Sequence, residues 1–350
     1  MGAQPTVSDV AGAAGVSRQT VSNVLNAPEI VRPETRERVQ AAILSLGYRP
    51  HASARRLRTQ KSSTIGIRLD PMTQDGISGS ILDRFLHALT EQADRLGLRV
   101  LLFTAADTAG EIEQFRRLSD AADVDAFVLT STFHGDPRTE WLIEHRQSFV
   151  TFGRPWGIHD MTDPQHLWVD VDGRAGVREA TRHLLERGAR RVGFIGWPSG
   201  SGTGDDRREG WLEAMREGAV VGESELGRLQ TATEDRVAFG ADAMRRLRDQ
   251  AGPDGLDGVV CVSDSLALGA LAVCGGTLPV IGYDNTPVAA SLGFSSVEQP
   301  LDEVASGVLE LLTGAHGGRV QPGSAVDDPR HRLVVPRLVV RDGPPLIAPR

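Results

Sequence analysis

The sequence of 350 residues predicts two kinds of structure in succession, an all-α domain followed by a larger α/β domain with two doubly wound lobes. The first fifty residues contain three short segments whose apolar residues recur with a helical period. From residue 62 onward, short apolar runs alternate with helix-period segments, which is typical of parallel βαβ units. The length suffices for two or three domains. We therefore predict a helical domain at residues 1–49, a linker at 50–61 and an α/β domain at 62–350.

The N-terminal segment TVSDVAGAAGVSRQTVSNVLN contains local signals for two helices joined by a tight turn. Thr6 and Asp9 have the spacing of a capping box, which favours a helix start at this point. Gly15 suits the turn because glycine adopts the left-handed conformation without strain. Ser17 is a favoured N-cap for the second helix, and Pro33 suits the first position of a third. Two short helices braced by a third predict a helix-turn-helix.

The second helix exposes hydroxyl, amide and guanidinium groups that are poor choices for a core. Its predicted outward face carries Arg18, Gln19, Ser22, Asn23 and Asn26. Arginine bonds guanine in a bidentate manner and glutamine or asparagine bonds adenine, each with roughly 1–3 kcal/mol of discrimination. This face therefore predicts contact with the base edges and phosphates of duplex DNA.

Charge is distributed unevenly along the chain. Residues 1–61 contain nine basic and four acidic residues, a net charge of +5. The whole chain carries −8, which leaves −13 on the remainder. A basic arm on an acidic body indicates contact with nucleic acid at one end only. The alternative interpretation is a solvated charged face.

Composition and spacing argue against several other classes of protein. No run approaches 18 apolar residues and the N-terminus lacks signal-peptide order, so we expect a cytoplasmic protein without membrane contact. Cys261 and Cys274 offer neither a disulfide framework nor metal-ligand spacing and are expected to be small buried residues. The nine histidines have no HExxH spacing, and no serine lies in a GxSxG motif. We expect no catalytic residues, no metal and no cofactor.

Polar and aromatic residues follow the predicted strands of the α/β domain, in the loops FGRPWG, GWPSGSGTGDDRREGW and VIGYDN. Ligands of such sheets bind beyond the carboxyl ends of the strands. Fixed donors and acceptors beside a flat aromatic face predict a sugar site. The alternatives are that Arg207 pairs with Asp205 or Asp206 and that Asp284 is only a turn residue. The candidate ligand residues are Arg154, Trp156, Ser201, Thr203, Arg207 and Asp284.

The order TVSDVAGAAGVSRQTVSNVLN, TRERVQAAILSLGYRP and SARRLRTQKSSTIGI resembles the lactose-repressor (LacI/GalR) family of transcriptional regulators. The body is similar to the family's periplasmic-binding-protein-like, two-lobed effector domain. The resemblance implies a homodimer whose paired recognition helices read a near-palindromic operator. We place the first lobe at about 62–161 and 291–321, and the second at about 162–290 and 322–340.

The resemblance implies roles for residues of the basic arm. Arg18, Gln19 and Asn23 match the family's base-reading residues. Leu57, with Ala54 beside it, matches the leucine that enters the central minor-groove step. Because isolated helices shorter than ~12–15 residues are marginal in water, we expect a hinge helix within 50–61 to form only on the operator. The DNA-backbone-contacting positions are matched by Thr6, Ser17, Thr20, Ser22, Asn26, Thr35, Tyr48 and His51.

In the body, the resemblance implies effector contacts. Arg207 matches the arginine three positions before a Gly-aromatic pair, here Gly210 and Trp211, and Asp284 matches the aspartate of the GYD turn. Further polar ligand positions are matched by Ser201 and Thr203, and Ser263 stands at the ligand position before Asp264 where an asparagine is common.

These features predict a repressor of carbohydrate-utilisation genes that a small sugar effector releases from operator DNA. A corepressor such as a purine, which would strengthen operator binding, is the alternative direction of coupling. A solute-binding protein could share the body but would not carry residues 1–60. An enzyme would need a nucleophile–base pair or metal ligands.

Overall fold

The computed structural model describes residues 5–48, 62–69, 77, 79–157, 160–218, 221–314 and 330–341. They belong to two compact units, Met1–Ser62 and Ser63–Arg350, which are described separately. The predicted hinge helix at 50–61, with His51, Ala54 and Leu57, lies outside the described residues.

The N-terminal unit folds as the helix-turn-helix that its local signals predict. Thr6 and Asp9 form the predicted capping box, with Asp9 Oδ2 accepting from Thr6 N at 2.7 Å. Ser17 Oγ accepts from Thr20 N at 3.0 Å and so caps the second helix. Gly15 has a φ of +64° in the turn between them. The helices are α1 (Val7–Ala14), α2 (Arg18–Asn26) and α3 (Pro33–Leu46), with a 3-10 turn at Pro28–Ile30.

Each helix of this unit contributes a buried valine to one small core. Val10, Val21 and Val39 are fully buried, and Tyr48 closes the cluster at the end of α3. Since every turn of α2 has its apolar side in this core, its polar side is left for solvent or a partner.

The second unit contains two six-stranded sheets, one in each lobe. The strands of the first lobe are β1 (Thr64–Arg68), β2 (Arg99–Phe103), β3 (Ala126–Leu129), β4 (Phe149–Phe152), β5 (Leu167–Val171) and β11 (His331–Val334). They form a sheet of order β11-β5-β4-β3-β1-β2 in which all neighbours are parallel. The helices of this lobe are α4 (Gly79–Arg95), α5 (Thr108–Asp120), α6 (Pro137–Glu144) and α13 (Leu301–Thr313).

The strands of the second lobe are β6 (Val192–Gly196), β7 (Gln230–Ala232), β8 (Gly258–Cys261), β9 (Val280–Tyr283), β10 (Ser295–Glu298) and β12 (Arg337–Val339). They form a sheet of order β12-β10-β9-β8-β6-β7, in which β12 runs antiparallel to its neighbour and the other pairs are parallel. The helices of this lobe are α7 (Gly173–Glu186), α8 (Gly202–Glu217), α9 (Glu223–Leu226), α10 (Val237–Ala251), α11 (Asp264–Cys274) and α12 (Pro287–Leu292).

The chain passes between the lobes three times, and these passages correct the predicted lobe boundaries. β5 and β11 belong to the first sheet, whereas the boundaries at about 161 and 322 assigned them to the second lobe. β10 belongs to the second sheet, although the first lobe was expected to resume at about 291. Strand pairing decides lobe membership, and an apolar run does not specify which strand it will pair with. The crossovers lie at Asp172, at Gln299–Pro300 and at Val335–Pro336.

Both cysteines are buried free thiols, which confirms the expectation for Cys261 and Cys274. Within the described ranges, no three histidine, cysteine or carboxylate side chains are grouped so that they could hold a metal ion. No helix in the described part of the chain combines the length and apolar character needed to cross a membrane.

Candidate nucleic-acid interface and ligand site

The polar side of α2 is the candidate nucleic-acid interface. Arg18 and Gln19 are exposed, and Ser22 and Asn23 are half-buried. Gln19 Nε2 donates to Asn23 Oδ1 at 3.0 Å, so the two amides are held side by side one helical turn apart. Such a pair presents a fixed set of donors and acceptors, which is the arrangement that base-edge recognition requires.

The other DNA-contact candidates flank this surface within the N-terminal unit. Thr6 and Ser17 are exposed at the N-termini of α1 and α2, where backbone N–H groups favour phosphate. Thr20 and Thr35 are half-buried. Tyr48 is only 6% exposed, so most of its ring serves the core and only its edge is available to a partner.

Arg207 is the central cation of the candidate ligand site in the second lobe. It is 5% exposed and projects from α8, with Nη1 donating to Val262 O at 2.7 Å. Its guanidinium carbon lies 3.6 Å from the Tyr283 ring centroid and 5.4 Å from that of Trp197. The sequence left open an ion pair of Arg207 with Asp205 or Asp206. The structure does not show such a pair, and Asp206 binds Arg154 instead.

Asp284 lies in the turn after β9 and is 6% exposed. Oδ1 accepts from Gln299 Nε2 at 2.7 Å. Burial raises the pKa of Asp284 to about 8, although the nearby Arg207 lowers it. The backbone φ of +109° is unusual for a residue other than glycine, so the turn is held in place by its surroundings.

Several buried polar atoms near the start of α8 have no hydrogen-bond partner among the described residues. They are Arg207 Nε, Tyr283 Oη, Trp197 Nε1 and Trp156 Nε1. A buried donor without a partner costs roughly 1–3 kcal/mol, and native proteins leave few of them. Burial also raises the pKa of Tyr283, so its hydroxyl stays protonated. The group therefore places several buried polar atoms beside aromatic rings.

Trp156 reaches this region from the first lobe. Its φ is +60°, and its ring lies so close to Gly202 that a Cβ atom there would stand 2.2 Å from the indole Cδ2. Only glycine fits at the start of α8 beneath this ring. Trp156 therefore forms an aromatic contact between the loop after β4 and the second lobe.

Arg154 joins the two lobes through a pair of carboxylates. Its Nε donates to Asp170 Oδ2 at 2.8 Å in the first lobe, and its Nη2 donates to Asp206 Oδ2 at 2.7 Å in the second. The guanidinium stacks on Trp156 at 4.3 Å. These carboxylates raise the pKa of Arg154 despite its burial. Two of its nitrogens thus connect the two lobes, and its predicted contact with the effector stays a prediction.

The three predicted hydroxyl ligands occupy helix N-termini around the same region. Ser201 Oγ accepts from Gly204 N at 3.2 Å and caps α8, and Thr203 is half-buried in the first turn. Ser263 is fully buried, caps α11 and donates to the Asp235 carboxylate. Ser263 is therefore placed to orient Asp235.

The structure adds residues that sequence reasoning missed or gave another role. Trp197 and Tyr283 supply unpartnered donors, and Asp170 and Asp206 bind Arg154. Tyr283 precedes Asp284 directly, and that adjacency was the one available signal in the sequence. Gln299 lies in a crossover whose position depends on strand pairing, so no local pattern indicates it.

Two family models match the chain. The model described as bacterial regulatory proteins, lacI family, matches residues 6–51. The model of a periplasmic binding protein-like domain matches residues 181–343. A helix-turn-helix followed by a two-lobed body of the periplasmic-binding-protein-like type defines a DNA-binding transcription regulator.

Comparisons with individual proteins agree. The HTH-type transcriptional regulator CelR of Thermobifida fusca is 33% identical over 324 residues, which are 89% of this chain and 93% of that protein. The solved CelR–cellobiose complex has a TM-score of 0.65 and 28% identity, covering 97% of this chain and 100% of that one. A lac repressor dimer bound to operator and an anti-inducer shares the fold, with a TM-score of 0.75, 20% identity and coverage of 97% and 99%. The chain belongs to the LacI family of transcriptional regulators.

Proposed function

We propose that this regulator is a repressor of carbohydrate-utilisation genes that leaves its operator when a small, uncharged sugar binds between the lobes. The single observation that carries the sugar assignment is the group of buried donors without partners around Arg207, Tyr283 and Trp197. A sugar has hydroxyl groups for such donors and apolar ring faces for the aromatic planes. The relative whose solved complex contains cellobiose supports the same class of ligand.

The charges around the site favour an uncharged ligand over an anion. Arg154 already binds two carboxylates, and Arg207 lies among Tyr283, Asp284 and a backbone carbonyl. Of these two cations, only Arg207 would be available to a phosphate or carboxylate ligand, because Arg154 is already paired with Asp170 and Asp206. A neutral polyol satisfies the donors without adding charge to a buried site.

On the DNA side, we propose that α2 enters the major groove. Arg18, Gln19 and Asn23 would contact base edges, and the hydroxyl groups at the helix N-termini would contact phosphates. The net charge of +5 on residues 1–61 supplies the salt-dependent part of the affinity. The protein would act in the cytoplasm on the nucleoid, and this role requires neither a catalytic residue nor a cofactor.

We further propose a homodimer, which a near-palindromic operator requires. The second lobe has a groove of about 990 Å³ whose apolar lining includes Leu268, Leu271 and Phe294. Leu292 and Val340 at this groove are 42% and 48% exposed. Exposed apolar residues grouped on one face are typical of interfaces. A Leu292→Arg substitution should shift the mass measured by light scattering from dimer to monomer, and an unchanged mass would contradict this assignment.

The sugar proposal is tested by titrating the intact protein on operator DNA, using a duplex that the protein itself selects from a randomised pool. Cellobiose is the first probe, followed by other disaccharides, monosaccharides and purines. We expect a sugar to raise the melting temperature and to weaken operator binding by 5–150-fold. A ligand that tightens operator binding would identify a corepressor instead.

A matched pair of variants locates the site. Arg207→Gln removes the central guanidinium and should abolish the sugar-induced thermal shift. Arg208→Gln changes the next residue of α8, whose Nε donates to Gln230, and should leave the shift intact. Equal responses of the two variants would place the ligand elsewhere.

A further inference from the structure

The turn that carries Asp284 is held in an unusual backbone conformation. Asp284 and Asn285 have consecutive positive φ values of +109° and +46°. Residues other than glycine in such regions cost of order 1–3 kcal/mol each and persist only where surrounding contacts fix them. The contacts that fix this turn therefore also fix the position of the candidate ligand carboxyl group.

Most of these contacts come from the second lobe. Asp264 Oδ2 accepts from Thr286 N at 2.7 Å and from its hydroxyl at 2.8 Å. Asn285 N donates to Ser296 Oγ at 2.9 Å. Asp284 N donates to Val297 O at 2.7 Å. These bonds attach the N–H side of the turn to a helix and two strands of the second lobe.

The carbonyl side of the turn is bound by the first lobe. Arg84 on α4 donates through Nη1 to Asp284 O at 3.2 Å and to Asn285 O at 3.4 Å. Its Nη2 lies 3.9 Å from Glu298 Oε1, and Glu298 also accepts from Asn285 Nδ2 at 3.2 Å. The Arg84 guanidinium group thus contacts two backbone carbonyl groups and the carboxylate beside them.

Arg84 is firmly attached to the first lobe. Its neighbours Phe85 and Leu86 are buried in the core between α4 and α13. Gln92 Nε2 on α4 donates to Asp302 O at the start of α13 at 3.0 Å. The Arg84 side chain is 35% exposed, but the helix that carries it is packed, so a displacement of the turn changes the position of the guanidinium relative to that helix.

We propose that Arg84 is a positioning residue that transmits occupancy of the Asp284 site to the first lobe, the lobe whose first strand directly follows the DNA-binding unit in the chain. The inference rests on the proposed function, since it assigns a regulatory role to the same ligand site. A ligand that binds the Asp284 side chain changes the position of the turn, and Arg84 carries that change into α4. Without Arg84, the protein would still bind both ligand and operator, but binding of one would change the affinity for the other by a smaller factor.

The first test measures linkage in the intact protein. The operator dissociation constant is determined with and without saturating cellobiose for wild type, Arg84→Gln and Arg95→Gln. Arg95 lies on the same helix and pairs only at the surface with Glu91, at 3.7 Å, so it is a matched control. We expect at least a fivefold effect of cellobiose in wild type and Arg95→Gln, and less than twofold in Arg84→Gln. If Arg84→Gln does not fold, Arg84→Lys takes its place. Lysine keeps the positive charge near Glu298 but lacks the forked guanidinium group.

The second test needs no sugar and separates this inference from the proposed function. Asp284→Ala, which removes the acceptor of Gln299 Nε2, is combined with Arg84→Gln, and operator affinity is measured for both single variants and the double variant. We expect Asp284→Ala to change operator affinity at least threefold alone and less than 1.5-fold in the Arg84→Gln background. Equal effects in both backgrounds, or none in either, would overturn the role of Arg84. If cellobiose leaves the operator affinity of the wild type unchanged, cellobiose is not the effector. The comparison of the single and double variants then tests the role of Arg84 by itself.

Discussion

Replacing Asp284 by asparagine should change how stability depends on pH. Asp284 is 6% exposed, and burial raises the pKa of its carboxyl group from 3.8 to about 8. Between these values the unfolded chain has lost the proton that the folded chain retains. The free energy of unfolding of the wild type therefore decreases as pH rises through this window, by up to about 1.4 kcal/mol per pH unit from this group.

Asparagine is neutral throughout and keeps an Oδ1 acceptor for Gln299. The variant should thus gain stability over wild type as pH rises, by about 2–3 kcal/mol between pH 5 and pH 7. Asp264, whose pKa burial raises to about 6, acts in the same direction but is present in both proteins. The difference between the two proteins isolates Asp284.

Urea unfolding at pH 5, 6 and 7, followed by tryptophan fluorescence, provides the measurement. Asp242→Asn is the control, because Asp242 forms only an exposed pair with Arg245. Its pH profile should run parallel to that of wild type. A stability difference between Asp284→Asn and wild type that stays constant from pH 5 to pH 7 would refute the assignment of a protonated carboxyl group at this site.

Three further changes test the remaining contacts. Asp206→Asn removes one of the two carboxylates of Arg154 and should lower the free energy of unfolding in urea by about 1.5–3 kcal/mol. Asp205→Asn is the control and should lower it by less than half as much. Equal losses would contradict the role of the Arg154–Asp206 pair in joining the lobes. Ser17→Ala removes the N-cap of α2 and should lower the stability of the N-terminal unit by about 1 kcal/mol, measured by thermal unfolding, and an unchanged melting temperature would count against the cap. Gln19→Ala should reduce discrimination at one operator position by roughly 1–3 kcal/mol in gel-shift titrations against single-base variants; uniform weakening across all variants would show that Gln19 contacts only phosphate.

The features that the sequence predicts well are local ones. The capping box of Thr6 and Asp9 and the N-cap at Ser17 involve partners three residues apart, so spacing alone indicates them. Strand–helix alternation likewise indicates the two lobes, because each βαβ unit is contiguous. The positions of Arg207 and Asp284 follow from the same pattern, as both lie at the ends of predicted strands or in the helix that follows.

The remaining features depend on pairing between distant residues. The partners of Arg154, Asp170 and Asp206, lie 16 and 52 positions away from it, and its predicted contact with the effector stays a prediction. The contact of Arg84 with Asp284 spans 200 positions. Such contacts exist only once the crossovers have placed the lobes, and no period or motif in the chain encodes them locally.

The three crossovers have a consequence for biosynthesis. The sheet that begins with Thr64–Arg68 receives its outermost strand, His331–Val334, only after all of the second lobe except its edge strand Arg337–Val339 has been translated. Domains generally fold as units while the chain is still growing, yet here the lobe started earliest is among the last parts to be completed. A truncated message would therefore yield an unfinished first lobe with an open sheet edge, which is a target for proteolysis and a template for aggregation.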